Sequence, residues 1–168
     1  MQTATSPSPL LSQAQLVELF LNFSKEIGLQ FIPKSLVGNE ELPGLKAESA
    51  NIYYDLERIK FPGDILKLSA RIAICKPEIR RILVGAGIQN DHLKEQREIA
   101  ALLWIYAACQ KLNIDPKIVL QNDSSKGETE WYLDNFNRRN YIGLSLLCSM
   151  KLAEKPNFPM MEKWLRVE

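Results

Sequence analysis

Histidine and cysteine most often serve as catalytic bases, nucleophiles and zinc ligands, and this chain contains few of them. It has one histidine, His92, and three cysteines, Cys75, Cys109 and Cys148. A serine or cysteine hydrolase uses a histidine to activate its nucleophile, and a zinc site needs several ligands at short spacing. His92 stands among charged residues at a predicted helix start, and the cysteines are far apart. We therefore expect neither a catalytic residue nor a bound metal ion.

Carboxylates are more numerous, and two pairs are spaced so that each pair shares one face of a helix. Glu95 and Glu98 are three residues apart, and Glu130 and Asp134 are four apart. This is similar to the all-α nucleotide pyrophosphohydrolases of the MazG type, which hold Mg²⁺ with Glu-Glu-x-x-Glu on one helix and Glu-x-x-Asp on the next. The chain lacks the doubled glutamate and has a different second spacing. A Mg²⁺-dependent nucleotide hydrolase is one alternative function; two solvated helix starts are the other interpretation.

Basic residues are concentrated in one segment. Residues 58–81 contain seven bases and only two acids, in a chain whose formal net charge is +1. Such a stripe can follow the phosphates of DNA or RNA, although a solvated basic face has the same composition. Nucleic-acid binding is therefore a second alternative function. The residues that would contact phosphate or another anion are Arg58, Lys60, Lys67, Arg71, Lys76, Arg80 and Arg81.

Two further segments have compositions that suit a protein interface. Residues 134–140 include three asparagines, which are mediocre helix formers, so they mark either a helix break or a surface rich in hydrogen-bond donors. Over residues 158–167, methionine and tryptophan recur at helical spacing, which indicates either an interface or a helix that covers the chain's own core. The candidate interaction residues are Asn137, Arg138, Arg139, Asn140, Met160, Met161 and Trp164.

The longest uninterrupted apolar stretch, residues 99–109, must organise the elements that position these side chains. A helix that is apolar all the way round has to be covered on every side. The stretch is also too short to cross a bilayer, which takes roughly 20 residues. The pattern predicts a buried central helix over about residues 91–112, with Asn113 as a left-handed cap.

Shorter helices are predicted around the central one. Ser12 and Gln15 form a capping box at the start of the first helix. Residues 29–46 contain too many prolines and glycines for a regular element, so they are predicted to form a loop. Two more helices are predicted from apolar residues at helical spacing, namely Ile52, Leu56 and Ile59 for one and Ile65, Leu68 and Ile72 for the next.

The sequence shows no alternating strand pair, no hairpin turn signal and no glycine-rich phosphate loop. The predicted fold class is therefore all-α. We expect a single-domain bundle of about six to eight helices around the central helix. This domain covers residues 12–168 and follows a flexible tail over residues 1–11.

Composition indicates a protein that acts through its surface inside the cell. Hydrophobic residues make up 46% and charged residues 24% of the chain, which is close to the globular average. An odd number of scattered cysteines argues against a secreted disulfide framework, and the first residues lack the pattern of a secretory signal. We expect a cytoplasmic, non-catalytic adaptor or regulator without a cofactor or membrane contact, which binds a partner protein or forms a homodimer.

Overall fold

The computed structural model describes residues 10–82, 84–85, 94–120 and 126–168, with the backbone alone at residues 84, 85, 94, 95 and 126. Residues 1–9 of the predicted tail and the histidine at position 92 lie outside this part of the chain. The described residues form seven helices and four strands. In chain order these are α1 (Gln13–Glu26), β1 (Gln30–Pro33), β2 (Leu45–Glu48), β3 (Asn51–Tyr54), α2 (Gly63–Ala73), α3 (Pro77–Arg80), β4 (Val84–Gly85), α4 (Lys94–Leu112), α5 (Pro116–Leu120), α6 (Lys126–Asn137) and α7 (Leu144–Ser149).

The predicted all-α fold class is wrong, because the chain contains a mixed β-sheet. The strands lie in the order β1-β3-β2-β4. β1 runs parallel to β3, whereas β2 is antiparallel to both β3 and β4. The described residues still form seven helices, within the predicted number, but a small four-stranded sheet packs with them.

The hairpin between β2 and β3 carries none of the usual turn signals. Glu48 pairs with Asn51, so Ser49 and Ala50 alone make the turn, and both have positive φ angles of 50° and 72°. Two-residue hairpin loops need this left-handed backbone, which Asn-Gly or Asp-Gly usually supplies. A left-handed alanine costs roughly 1–2 kcal/mol. The paired strands therefore hold the turn in place, and a search for turn residues misses it.

The predicted helix through Ile52, Leu56 and Ile59 is also wrong, since its first residue belongs to β3. Ile52 and Tyr54 are buried, as alternate residues on one face of a strand can be, whereas Leu56 is exposed. The helical spacing of these three residues is a coincidence. Likewise, the predicted loop over residues 29–46 contains β1 and the start of β2.

Predictions from local signals were more successful. Ser12 Oγ accepts a hydrogen bond from the Gln15 backbone N–H at 3.1 Å, and Gln15 Oε1 accepts one from the Ser12 N–H at 2.8 Å. This confirms the capping box before α1. In α2, the three apolar residues that predicted the helix, Ile65, Leu68 and Ile72, are all buried. Asn113 follows α4 with a φ of 55°, which confirms the left-handed cap.

Helix α4 lies at the centre of the core. From Ala100 to Cys109 its side chains are buried, apart from the half-buried Leu102, and they pack against α2, α5 and α7. The Arg97 guanidinium lies 3.8 Å from the sulfur of Cys75, so the start of α4 meets the end of α2 and the two helices are antiparallel. Among the described residues, no helix is long and apolar enough to span a membrane.

Helices α1 and α2 share a buried polar contact. The hydroxyl oxygens of Ser24 and Ser69 are 2.8 Å apart, and Ser69 also donates to the Ile65 carbonyl at 2.7 Å. Ser24 can therefore donate to Ser69, so neither buried hydroxyl lacks a partner. This contact sets the register of α1 against α2.

Replacing Gly63 should test how closely α2 approaches α5. A Cβ atom at Gly63 would lie 2.3 Å from the Val119 carbonyl oxygen, whereas one at Gly127 would meet nothing within 4 Å. We expect Gly63→Ala to lower the free energy of unfolding by roughly 1–3 kcal/mol through overpacking. Gly127→Ala, the matched control in α6, should raise it by up to about 1 kcal/mol. Urea denaturation measures both, and equal effects would contradict the close approach.

Candidate protein-interaction surface

Two neighbouring clefts lie at the C-terminal end of α4, and Gln110 lines both of them. The first, which we call the polar cleft, has a volume of about 360 Å³. The second, the methionine cleft, has a volume of about 290 Å³. The polar cleft is lined by Cys109, Gln110, Asn113, Ile114, Asp115, Pro116 and Asn137. The methionine cleft is lined by Ala107, Gln110, Lys111, Pro159, Met160, Met161 and Trp164.

The polar cleft is built by the end of one helix and the start of the next. After the left-handed Asn113, the Ile114 N–H donates to the Cys109 carbonyl at 2.9 Å, which closes α4. The Asp115 carboxylate accepts from the Lys117 N–H at 3.0 Å and so caps α5. The Cys109 carbonyl and the Asp115 carboxylate at this cleft therefore have a structural role.

Burial favours the neutral forms of Cys109 and Tyr106. Burial, reinforced by the charge of Asp115, raises the pKa of the Cys109 thiol to about 12, so the thiolate needed for nucleophilic attack is scarce at neutral pH. Burial also raises the pKa of Tyr106, with a smaller contribution from Tyr141. The Tyr106 hydroxyl lies 3.4 Å from the Phe136 carbonyl oxygen and remains a neutral donor.

The methionine cleft is shaped by a C-terminal segment that has no regular secondary structure. Residues 158–167 form turns and bends, so the predicted amphipathic helix there is wrong. Met160 is 67% exposed, whereas Met161 and Trp164 are half-buried and pack against the core. Methionine side chains adapt to irregular surfaces, which suits a site that receives an apolar group.

Trp164 anchors this segment to the core. Its ring makes edge-to-face contacts with Trp104 and Phe23, at centroid distances of 5.3 and 5.1 Å, and its carbonyl accepts from Trp104 Nε1 at 2.9 Å. Two residues later, the Arg166 N–H donates to the Ala73 carbonyl at 2.9 Å. Trp164 therefore closes the chain's own core while one side of it lines the cleft.

The asparagine-rich segment ends α6, as one of its two interpretations predicted. Arg139 has a φ of 64° and its N–H donates to the Phe136 carbonyl. The Asn140 side chain donates to Asn135 Oδ1 at 2.9 Å, which ties the segment back to the helix. Asn137 lines the polar cleft, and Arg138, Arg139 and Asn140 follow it with exposed side chains.

Three residues of the basic stripe make polar contacts within the protein. Arg58 pairs with Asp55 at 3.4 Å, and the largely buried Lys67 pairs with Asp64 at 3.8 Å. Arg80 donates to the carbonyls of Cys75 and Arg166, each at 2.7 Å. The others, Lys60, Arg71, Lys76 and Arg81, are exposed along the loop before α2, the helix itself and the region around α3.

Among the described residues, the paired carboxylates are not gathered into a metal site. Glu98, Glu130 and Asp134 are exposed, and no three or more of the described histidine, cysteine and acidic residues are grouped so that they could hold a metal ion. The side chain of Glu95 lies outside the described residues. The described geometry therefore gives the nucleotide-hydrolase alternative no support.

The clefts bring together four of the seven candidate interaction residues: Asn137, Met160, Met161 and Trp164. Sequence analysis missed Gln110, which joins the two clefts, and Pro159. Gln110 is the first polar residue after the apolar stretch of α4, but nothing in that position shows which distant segments will flank it.

No protein-family model, curated protein or solved structure matches this chain. Its function therefore has to be argued from the geometry of its own residues.

Arg80 and Arg81 are neighbours with different surroundings, and replacing each of them separates a structural role from an anion-binding role. Arg80→Ala should lower the free energy of unfolding by roughly 1–3 kcal/mol, because two carbonyls lose a charged donor. Arg81→Ala should change it by less than about 0.5 kcal/mol, because Arg81 is exposed. Thermal and urea denaturation measure both values. Equal destabilisation would contradict the assigned role of Arg80.

Asp64 should make stability depend on pH. Burial raises the pKa of its carboxyl group, although the charges of Lys67 and Arg71 oppose this. The native state therefore holds this proton more tightly than the unfolded state does. As a result, the free energy of unfolding falls as the pH rises from the unfolded pKa through the native pKa of Asp64. Asp64→Asn removes this loss, so the stability of the variant relative to wild type should increase as the pH rises from about 4.

Urea denaturation across a pH series measures the effect of Asp64. Asp134→Asn, at an exposed position, is the control. A stability difference between wild type and Asp64→Asn that stays constant over this pH range would show that burial does not hold the proton on Asp64.

Proposed function

We propose that this protein is a non-catalytic adaptor or regulator that binds a partner protein at the methionine cleft. The supporting observation is the exposure of Met160 beside a tryptophan that the core holds in place. An exposed flexible side chain next to a rigid aromatic wall suits the insertion of an apolar side chain. Tryptophan and methionine are also enriched in interface cores.

The charge around the cleft indicates the chemistry of the partner. Lys111 is the one charged residue among those that line the methionine cleft. A partner segment with a bulky apolar residue next to a carboxylate would fill the cleft and pair with this ammonium group. Such rim pairs contribute more to specificity and association rate than to affinity.

Further observations bear on the choice between this proposal and the alternatives. Burial raises the pKa of Cys109 to about 12, which makes its thiol a poor nucleophile at neutral pH. Arg58, Lys67 and Arg80 are engaged within the protein, which weakens the case for a phosphate-binding stripe. None of the three cysteines forms a disulfide, in keeping with the proposed cytoplasmic location.

Site-specific photo-crosslinking in cells tests the proposal. A photoreactive amino acid in place of Met160 should give a discrete crosslink to a partner protein. The same residue in place of Val37, which is 82% exposed and lines neither cleft, should not. A crosslink pattern that is the same at both positions would contradict a specific site at the cleft.

The affinity of the captured partner provides the quantitative check. Met160→Ala should weaken binding roughly tenfold, as expected for an apolar side chain at the centre of an interface. Val37→Ala should leave the dissociation constant unchanged. Calorimetry with the purified partner measures both, and no loss of affinity for Met160→Ala would refute the assignment.

A further inference from the structure

Met160 is the most accessible of the methionines that the structure describes. It is 67% exposed, whereas Met150 and Met161 are partly buried and pack against the core. A small polar oxidant reaches a thioether that is open to solvent more readily than one that is packed in a core. The consecutive residues Met160 and Met161 therefore differ in accessibility, although their chemistry is the same.

The backbone around Met160 is held on both sides, so the fold itself imposes this exposure. The Met160 N–H donates to the Asn157 carbonyl at 2.9 Å. Beyond it, the Glu162 N–H donates to the carbonyl of the fully buried Leu152, also at 2.9 Å. Phe158, two residues before Met160, is buried in the core. The side chain of Met160 is therefore kept on the open side of the methionine cleft.

The oxidation state of Met160 decides the polarity of the methionine cleft, which this residue lines together with Met161 and Trp164. A thioether is apolar and adapts its shape to what it contacts. A sulfoxide in the same place is polar and carries an oxygen that accepts hydrogen bonds from water. That water has to be removed before an apolar side chain can enter, and the apolar side chain does not replace the lost hydrogen bonds. One added oxygen atom therefore changes what the cleft accepts.

We propose that Met160 is a site of reversible oxidation by hydrogen peroxide, and that its sulfoxide closes the methionine cleft to apolar groups. A lone pair of the sulfur attacks one peroxide oxygen, so an S–O bond forms while the O–O bond breaks. The departing hydroxide takes the proton of the transferred oxygen and leaves as water. The thioether loses two electrons, which the peroxide gains. The release of a partner protein on oxidation rests on the function proposed above, whereas the oxidation itself does not.

Oxidation at this position leaves the fold intact, which distinguishes a switch from oxidative damage. Met160 is not one of the residues that pack against the core, so its sulfoxide brings no polar oxygen into the core. At Met150 or Met161 the same oxygen would enter packed apolar surroundings and destabilise the native state. The exposed sulfoxide of Met160 is also open to methionine sulfoxide reductases, which reverse the reaction.

Peptide mapping of the purified chain by mass spectrometry tests the selectivity of the reaction. In hydrogen peroxide, Met160 should gain one oxygen atom roughly tenfold faster than Met150 and Met161, because the rate follows the exposure of the sulfur. Dithiothreitol, added before the mapping, reverses disulfides and sulfenic acids at the cysteines but leaves the sulfoxide. Urea denaturation of the chain oxidised at Met160 should give the same midpoint as the untreated chain. Equal oxidation rates at the three methionines, or a lowered midpoint, would overturn the proposal.

A dye that joins an apolar ring system to an anion tests whether oxidation closes the cleft. Anilinonaphthalene sulfonate has the chemistry inferred for the partner, and a fluorescence titration measures its dissociation constant. Oxidation of Met160 should weaken dye binding roughly tenfold, because the sulfoxide has to lose its water. Methionine sulfoxide reductases, one for each sulfoxide epimer, should restore the original affinity.

Two charge variants show whether the dye reports on the cleft. Lys111→Glu should weaken dye binding, because it places a carboxylate beside the sulfonate. Lys155→Glu makes the same charge change at another exposed position and should have little effect. A dye that binds the reduced and oxidised chains equally, or that is insensitive to Lys111→Glu, would overturn the closing of the cleft. Because the dye takes the place of the partner, this result does not depend on whether photo-crosslinking captures a protein.

Discussion

The buried indole of Trp104 imposes the constraint on which the rest of the structure depends. Its side chain is fully buried, so its N–H needs an acceptor inside the core. The acceptor is the carbonyl of Trp164, at 2.9 Å. Because that residue lies 60 positions later, the core is complete only when the C-terminal segment lies across α4. Phe23 of α1 forms the third side of this aromatic cluster.

The anchoring of the C-terminal segment determines the shape of the methionine cleft and the contacts of two basic residues, Arg80 and Arg166. Trp164 is fixed by the aromatic cluster, and Arg166 is fixed by the carbonyls at the end of α2. Arg80 donates to the same helix end and to the Arg166 carbonyl, so its charge stabilises a helix terminus. Met160, which precedes these anchors, is left on the outside, and this exposure forms the open side of the methionine cleft.

The distribution of titratable groups separates the interior from the surface. Inside, the raised pKa values of Cys109, Tyr106 and Asp64 have burial as their first cause, and burial favours the neutral form of each group.

The sequence by itself determined the elements whose signals are local. The capping box of α1, the apolar stripe of α2 and the left-handed end of α4 each depend on residues within a few positions of one another. The sheet could not be predicted, because its main strands are four residues long and its hairpin turn is Ser-Ala, so both are stabilised by pairing between distant segments. The clefts, the anchoring of Trp164 and the structural role of Arg80 were likewise decided by the tertiary structure alone. Each depends on at least one partner that lies tens of residues away, and groups at such separations meet only after the chain has folded.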